Sequence, residues 1–183
     1  NTTASNNTAV GYQAAYNNTA QTITALGYRA GYSNTTGTDN VAIGDSALYS
    51  NTTGVRNTAI GRASLYNNTN ASDNVAVGYY ALFANTTGAL NTAVGTSALS
   101  SNNSGIQNTA VGYKALLNNT IGNNNSAFGF YSMLSNTTGA ENTAVGYGAL
   151  YSNTTGYNNT AIGRSAGQFS QHDNAVALGT NAG

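Results

Sequence analysis

Along the whole chain, threonine and a larger aliphatic residue alternate with asparagine, alanine and glycine over short stretches, and these stretches recur at a nearly constant interval, as at Asn57, Asn74, Asn91 and Asn108. In Asn57-Thr58-Ala59-Ile60-Gly61 the alternation puts Thr58 and Ile60 on one face of an extended segment and Asn57, Ala59 and Gly61 on the other. One short strand per repeat is predicted. The small face hardly varies: Ala9, Ala25, Ala42, Ala59, Ala76, Ala93, Ala110, Ala127, Ala144, Ala161 and Ala177 stand in one column. The other face carries Val10, Leu26, Ile43, Ile60, Val77, Val94, Val111, Phe128, Val145, Ile162 and Leu178, an apolar seam too bulky for the space that alanine leaves. A second surface is therefore expected to cover that seam.

The rest of each repeat divides in two. Ala-Leu-Tyr predicts a second short strand, stacking Leu48, Leu65, Leu82, Leu99, Leu116, Met133 and Leu150, with Tyr49, Tyr66, Phe83 and Tyr151 beside them. Ser-Asn-Thr-Thr-Gly then reads as a turn, in which glycine can supply a positive φ. A regular period this short predicts stacked coils: an all-β parallel β-solenoid or β-roll of about eleven 17-residue turns, two short strands to a turn, as a single repeat array over residues 1–183. Eleven turns give a rod of about 50 Å. The degenerate turn at 163–183 reads as a cap or transition, and Asn1, falling in mid-repeat, makes the array look like a slice of a longer chain. A helical reading fails, because the apolar spacing is two and not 3.6.

Composition narrows the function. Five Lys or Arg and five Asp or Glu in 183 residues leave no basic patch for nucleic acid or an anionic membrane, and no apolar run is long enough to insert in a bilayer. The chain has no cysteine, hence no disulfide, thiolate metal site or thiol nucleophile; having no proline suits uninterrupted ladders. His172 has Asp173 beside it, but neighbours on an extended chain point apart, and a surface turn is the better reading. Asp39, Asp45, Asp73, Glu141 and Asp173 are scattered and pair nowhere in sequence, so neither a catalytic site nor a metal site is expected, nor any cofactor. Gly146-Tyr147-Gly148 and Gly27-Tyr28-Arg29-Ala30-Gly31 lack the Lys-Ser/Thr and the βαβ frame of a phosphate cradle.

The segments Asn174-Ala-Val-Ala-Leu-Gly179, Asn40-Val-Ala-Ile-Gly44 and Asn74-Val-Ala-Val-Gly78 resemble the head repeats of trimeric autotransporter adhesins, and the similarity covers every turn. They are also similar to shaft segments in some phage and predatory-bacterium fibres. The resemblance implies a left-handed parallel β-roll, three of which pack about a threefold axis with the Val/Ile column as the seam, on a surface that binds host matrix or other cells. The Asn-Thr-Thr-Gly turn lengthens the repeat beyond the usual head pattern, so neither binding specificity nor individual ligand residues carry over.

One polar column has two readings. Asn1, Asn18, Asn34, Asn51, Asn68, Asn85, Asn102, Asn119, Asn136 and Asn153 share a repeat position, which in register forms an amide ladder. The same turns carry Asn-x-Ser/Thr, giving candidate N-glycosylation at Asn1, Asn17, Asn34, Asn51, Asn67, Asn85, Asn102, Asn118, Asn136 and Asn153. The acceptor moves back one place to Asn17, Asn67 and Asn118 where Ala20, Asn70 and Ile121 would spoil it.

The expectation is a non-catalytic adhesin head or stalk, extracellular at the cell surface, built as a trimeric β-roll. Its expected partners are copies of itself, as a homotrimer or an end-to-end filament, a host surface or matrix, and covalent glycans. The alternatives are a structural subunit of an extracellular filament, coated with N-glycans, and an ice-binding solenoid using the ladder Thr58, Thr92, Thr109, Thr143 and Thr160, interrupted by Val41 and Val75.

Overall fold

Each alternating stretch is a strand in the computed structural model, which describes residues 4–169 and 171–183. The strands are β1 (Thr8–Val10), β2 (Ile23–Leu26), β3 (Asn40–Ile43), β4 (Thr58–Ile60), β5 (Val75–Val77), β6 (Thr92–Val94), β7 (Thr109–Val111), β8 (Ser126–Phe128), β9 (Thr143–Val145), β10 (Thr160–Ile162) and β11 (Val176–Leu178). They form one parallel sheet in chain order, each inner strand pairing with the one before and the one after it. Register is strict: Ala59 lies opposite Ala42 and Ala76, and Ile60 opposite Ile43 and Val77. The architecture is an all-β parallel solenoid in which equivalent side chains of successive turns, such as Asn34, Asn51 and Asn68, touch.

The alanine column faces inward, and from Ala25 to Ala161 every member is fully buried. Opposite it stand Leu48, Leu65, Leu82, Leu99, Leu116, Met133 and Leu150, buried to 1% or less. A small column against a large one fills a coil only one side chain deep, as close packing requires. The Val/Ile seam lies on the outside of this coil.

Two expectations about the turns need correcting. The Ala-Leu-Tyr stretch is not a second strand. The leucines sit in the left-handed region, φ 52° at Leu48 and 50° at Leu99, and so do the residues two places earlier, φ 56° at Ser46 and 55° at Ser97. This alternation curls the chain around the leucine while keeping its amides aimed at neighbouring turns: Ser46 N donates to Tyr28 O (2.8 Å) on one side and Leu48 N to Ser64 O (2.9 Å) on the other. A left-handed non-glycine residue costs roughly 1–2 kcal/mol, offset here by the ladder bond and the burial of the side chain.

The glycine of Asn-Thr-Thr-Gly is the second correction, since it does not take a positive φ. A Cβ on Gly54 or Gly88 would run into the carbonyl of the adjacent turn and the Oδ1 of its own turn's asparagine, so glycine is there for close stacking. The positive φ belongs to the glycine after each strand, 135° at Gly95 and Gly112.

Candidate functional surface

Because the strand alanine points in, the residues on either side of it point out. The outer sheet face therefore carries two parallel columns, mostly threonine or valine before the alanine and a larger apolar residue after it. Neither column holds a charged residue in any of the eleven strands. Val94 is 36% exposed, Phe128 41% and Ile162 46%, values that put the seam on the surface of the rod. Thr58, Thr92, Thr109, Thr143 and Thr160 are half-buried beside it. Soluble chains rarely leave a contiguous apolar strip along their whole length.

The asparagine column lies inside. Asn34, Asn51, Asn68, Asn85, Asn102, Asn119, Asn136 and Asn153 have no exposed surface. Each Nδ2 makes two bonds: that of Asn51 donates to Asn34 Oδ1 (2.7 Å) and to Gly54 O (3.0 Å), and that of Asn102 to Asn85 Oδ1 (2.9 Å) and Gly105 O (3.0 Å). The chain of amides runs unbroken from Asn18 to Asn153. Buried polar groups are nearly always so satisfied, and in this column Asn153 Oδ1, at the end of the ladder, is the buried oxygen left without a donor among the described residues.

A second ladder opens the strands. Asn57 N donates to Asn40 Oδ1 (2.9 Å), Asn74 N to Asn57 Oδ1 (3.1 Å), and so on to Asn159, while Asn40 Nδ2 donates to Gly54 O (2.8 Å).

These bonds bear on the glycosylation candidates. At Asn34, Asn51, Asn85, Asn102, Asn136 and Asn153 an attached sugar and this fold exclude each other, because both Nδ2 hydrogens are engaged and the side chains are sealed. Asn17 and Asn118 are exposed and Asn67 half-buried, so the three displaced acceptors are the ones a sugar can reach. Asn1 lies outside the described residues. We expect Asn51→Gln, whose extra methylene misaligns the ladder, to lower the melting temperature at a cost of about 1 kcal/mol. Thr53→Val, which removes the same acceptor motif at an exposed position, should leave it unchanged. Thermal unfolding followed by circular dichroism distinguishes the two.

All ten charged residues fall on two lines that flank the outer sheet face. Arg29, Arg62, Lys114 and Arg164, with Asp45, follow the strand alanine by three or four places. Asp39, Asp73, Glu141 and Asp173, with Arg56, precede it by three or four. One edge of the sheet is therefore mostly basic and the other mostly acidic. Within an edge, opposite charges bridge successive turns: Arg56 Nε meets Asp73 Oδ1 at 2.6 Å and Arg62 Nε meets Asp45 Oδ2 at 3.8 Å. The hydrogen bond from Arg56 holds the Asp73 carboxyl below its ordinary range. The interaction is therefore present at neutral pH and is lost as pH falls through that depressed value.

The basic edge is also aromatic. Tyr113, Phe130 and Tyr147 stack at 5.0 and 5.4 Å, and Lys114 and Arg164 lie over tyrosine rings. A neighbouring column, Tyr16, Tyr32, Tyr49, Tyr66 and Phe83, stacks at 5.0 to 5.5 Å.

His172 and Asp173 are exposed near the last strand. His172 lines a hollow of about 240 Å³ with Leu150, Phe169 and Val176, and no Asp or Glu shares that lining. Among the described residues no three His, Cys, Asp or Glu side chains cluster as metal ligands would.

The sorting of charges and the second asparagine ladder were legible in the chain, had each residue been placed by its distance from the strand alanine and not by its sequence neighbours. No protein family, curated protein or solved structure matches this chain.

Proposed function

We propose that the chain is a non-catalytic rod, the head or stalk of an extracellular adhesin, that assembles through its outer sheet face into a bundle of parallel copies, three in the arrangement its repeats resemble. The observation that carries this reading is the exposed Val/Ile column, continuous over the rod and free of charge. Such a column gains about 25 cal/mol for each Å² of apolar surface removed from water. Two buried ladders and a core one side chain deep supply the stiffness that a stalk needs.

Because the seam is outside the coil, its variants test assembly separately from folding. Val94→Asp together with Val111→Asp is expected to leave circular dichroism unchanged and to shift sedimentation from an oligomer to a monomer, since a charge buried at an interface without a partner costs several kcal/mol. A native chain that sediments as a monomer at high concentration would remove the assembly reading.

A second reading draws on the same face. Among the described residues, the hydroxyls of Thr58, Thr92, Thr109, Thr143 and Thr160 have no hydrogen-bond partner, and they recur at strand spacing beside aliphatic groups, the arrangement that would suit an ordered water lattice. Ice recrystallisation in the presence of the folded rod tests it; crystals that coarsen as fast as in buffer rule it out.

A further inference from the structure

We propose that the slot between Tyr66 and Arg62 is a binding site for one small phenol, whose ring lies beside the tyrosine column and whose hydroxyl reaches Asp45. This site goes beyond the assembly reading and does not rest on it. The slot has a volume of about 300 Å³. An apolar cavity of about 150 Å³ is enough to hold benzene, so one ring with its hydroxyl fits.

The slot exists because two consecutive turns carry small residues where their neighbours carry large ones. Four places after the strand alanine the chain runs Arg29, Ser46, Ala63 and Tyr80, and further along Tyr131 and Gly148. Seven places after it stand Tyr32, Tyr49, Tyr66 and Phe83, and further along Tyr151. A large residue in the first column covers the second: the Arg29 guanidinium lies 5.6 Å from the centre of the Tyr32 ring, and Tyr80 lies 4.7 Å from Phe83. Ser46 and Ala63 are too short to do so, and Tyr66, Phe83 and Tyr80 are left lining an open space. The rod itself shows what such a space accepts. At Gly148, which has no side chain, the phenol of Tyr131 from the turn before meets Tyr151 edge-on, at 6.2 Å and 80°. The residue that would do the same over Ala63 is Ser46, so there the place of the ring is vacant.

The walls select a neutral ring with a hydroxyl. Tyr66 stacks on Tyr49 at 5.0 Å on one side and on Phe83 at 5.4 Å on the other, so it turns its edge to the slot. Ring edges carry the positive part of the aromatic quadrupole and favour the face of another ring. The same edges, with Arg62 across the slot, disfavour a cation. At the polar end Ser46 Oγ donates to Asp45 Oδ1 at 2.7 Å, while Asp45 Oδ2 faces Arg62 Nε at 3.8 Å, too far for a hydrogen bond. A phenol O–H donates to that oxygen, and the phenol oxygen accepts from the guanidinium.

The probe is 4-methylphenol, titrated into the folded native rod and followed by NMR at the Ala63 methyl and the Tyr66 and Phe83 rings. Saturable shifts at these signals and none at Tyr32 or Tyr147 are expected. The ether 4-methylanisole, with the same ring and no donor, should bind about fivefold more weakly. Ala63→Tyr fills the slot with the chain's own phenol and should abolish the shifts. Tyr80 and Tyr131 hold the equivalent place with φ of 56° and 58°, against 53° at Ala63, so the backbone accepts tyrosine there. Ser46→Tyr, which supplies a ring from the turn before as Tyr131 does, is the second filled variant, and circular dichroism checks that each is folded. Shifts spread evenly over the aromatic columns, absence of saturation, equal binding of the two probes, or undiminished binding by a folded filled variant would each overturn the proposal. N-acetyl-tyrosinamide then identifies the carrier of the ring: shifts at the same signals extend the site to tyrosine side chains of peptides, and their absence confines it to free phenols.

Discussion

Asn102→Leu is expected to lower the stability of the rod by about 2–6 kcal/mol, although it replaces a polar core residue with an apolar one of similar size. Asn102 accepts from Asn119 Nδ2 at 2.8 Å and donates to Asn85 Oδ1 and Gly105 O. Leucine would leave Asn85 Oδ1 without a donor and one Asn119 Nδ2 hydrogen without an acceptor inside a sealed column, at about 1–3 kcal/mol each, while Gly105 O keeps its bond from Asn91 Nδ2 (2.8 Å). The neighbouring hydroxyl is the control: Thr87 is exposed, and Thr87→Val should change stability by less than about 0.5 kcal/mol. Denaturant midpoints of the two variants decide the matter. A leucine variant no weaker than the valine one would mean that leucine packing and strand bonds hold the stack without the ladder. The damage should also be local in origin, because each turn touches only its neighbours and a fault in the middle weakens the interface on both sides.

Gly95→Ala should be the most disruptive single methyl group in the array, and Gly88→Ala much milder. At Gly95, φ is 135°, where side chains are strained whatever the space, and the added Cβ would lie 2.5 Å from Gly112 O. Both penalties fall on backbone that cannot move without breaking the ladder beside it. Strain alone costs about 1–3 kcal/mol, and the clash adds to it. Gly88 also faces a close carbonyl, but its φ is ordinary and Ala71 already occupies the equivalent place in another turn at 4% exposure. That turn shows that the stack can open slightly there. Purified variants compared by circular dichroism and limited proteolysis should find Gly95→Ala cleaved close to β6 and Gly88→Ala intact. Equal resistance would show that the glycine after the strand is dispensable.

The strand half of the repeat was legible because its chemistry and its geometry share a period of two, from Asn57 through Gly61. The column of leucines was legible too, as large residues recurring opposite small ones. What misled was the conformation around them. Nothing in Ala-Leu announces the left-handed backbone that Leu48 and Leu99 adopt. That conformation is imposed by the need to wrap a shallow core while still bonding to both neighbouring turns, a demand of the stack and not of the segment. Glycine was misassigned for a related reason. At Gly54 it answers to the carbonyl of Ala71, one full turn further along the chain. The asparagines at 51 and 85 carried two motifs at once, an acceptor sequence and a ladder position, and only burial separates them. The acids at 39, 45, 73, 141 and 173 looked scattered because neighbours in sequence are not neighbours on the rod.

The ladder and strand bonds run along the rod, and that direction governs how it answers to force. A pull on the two ends loads every layer in series, so the weakest interface gives way first and the others are spared. Each turn that peels away gives up about 5 Å of stacked rise and releases roughly 60 Å of slack chain. Tension on one end of such a tether would therefore be met by stepwise lengthening, with long intervals of slack between steps. Compression presses the same layers together and finds them stiff. A rod built this way holds its tip away from its base and yields by paying out thread.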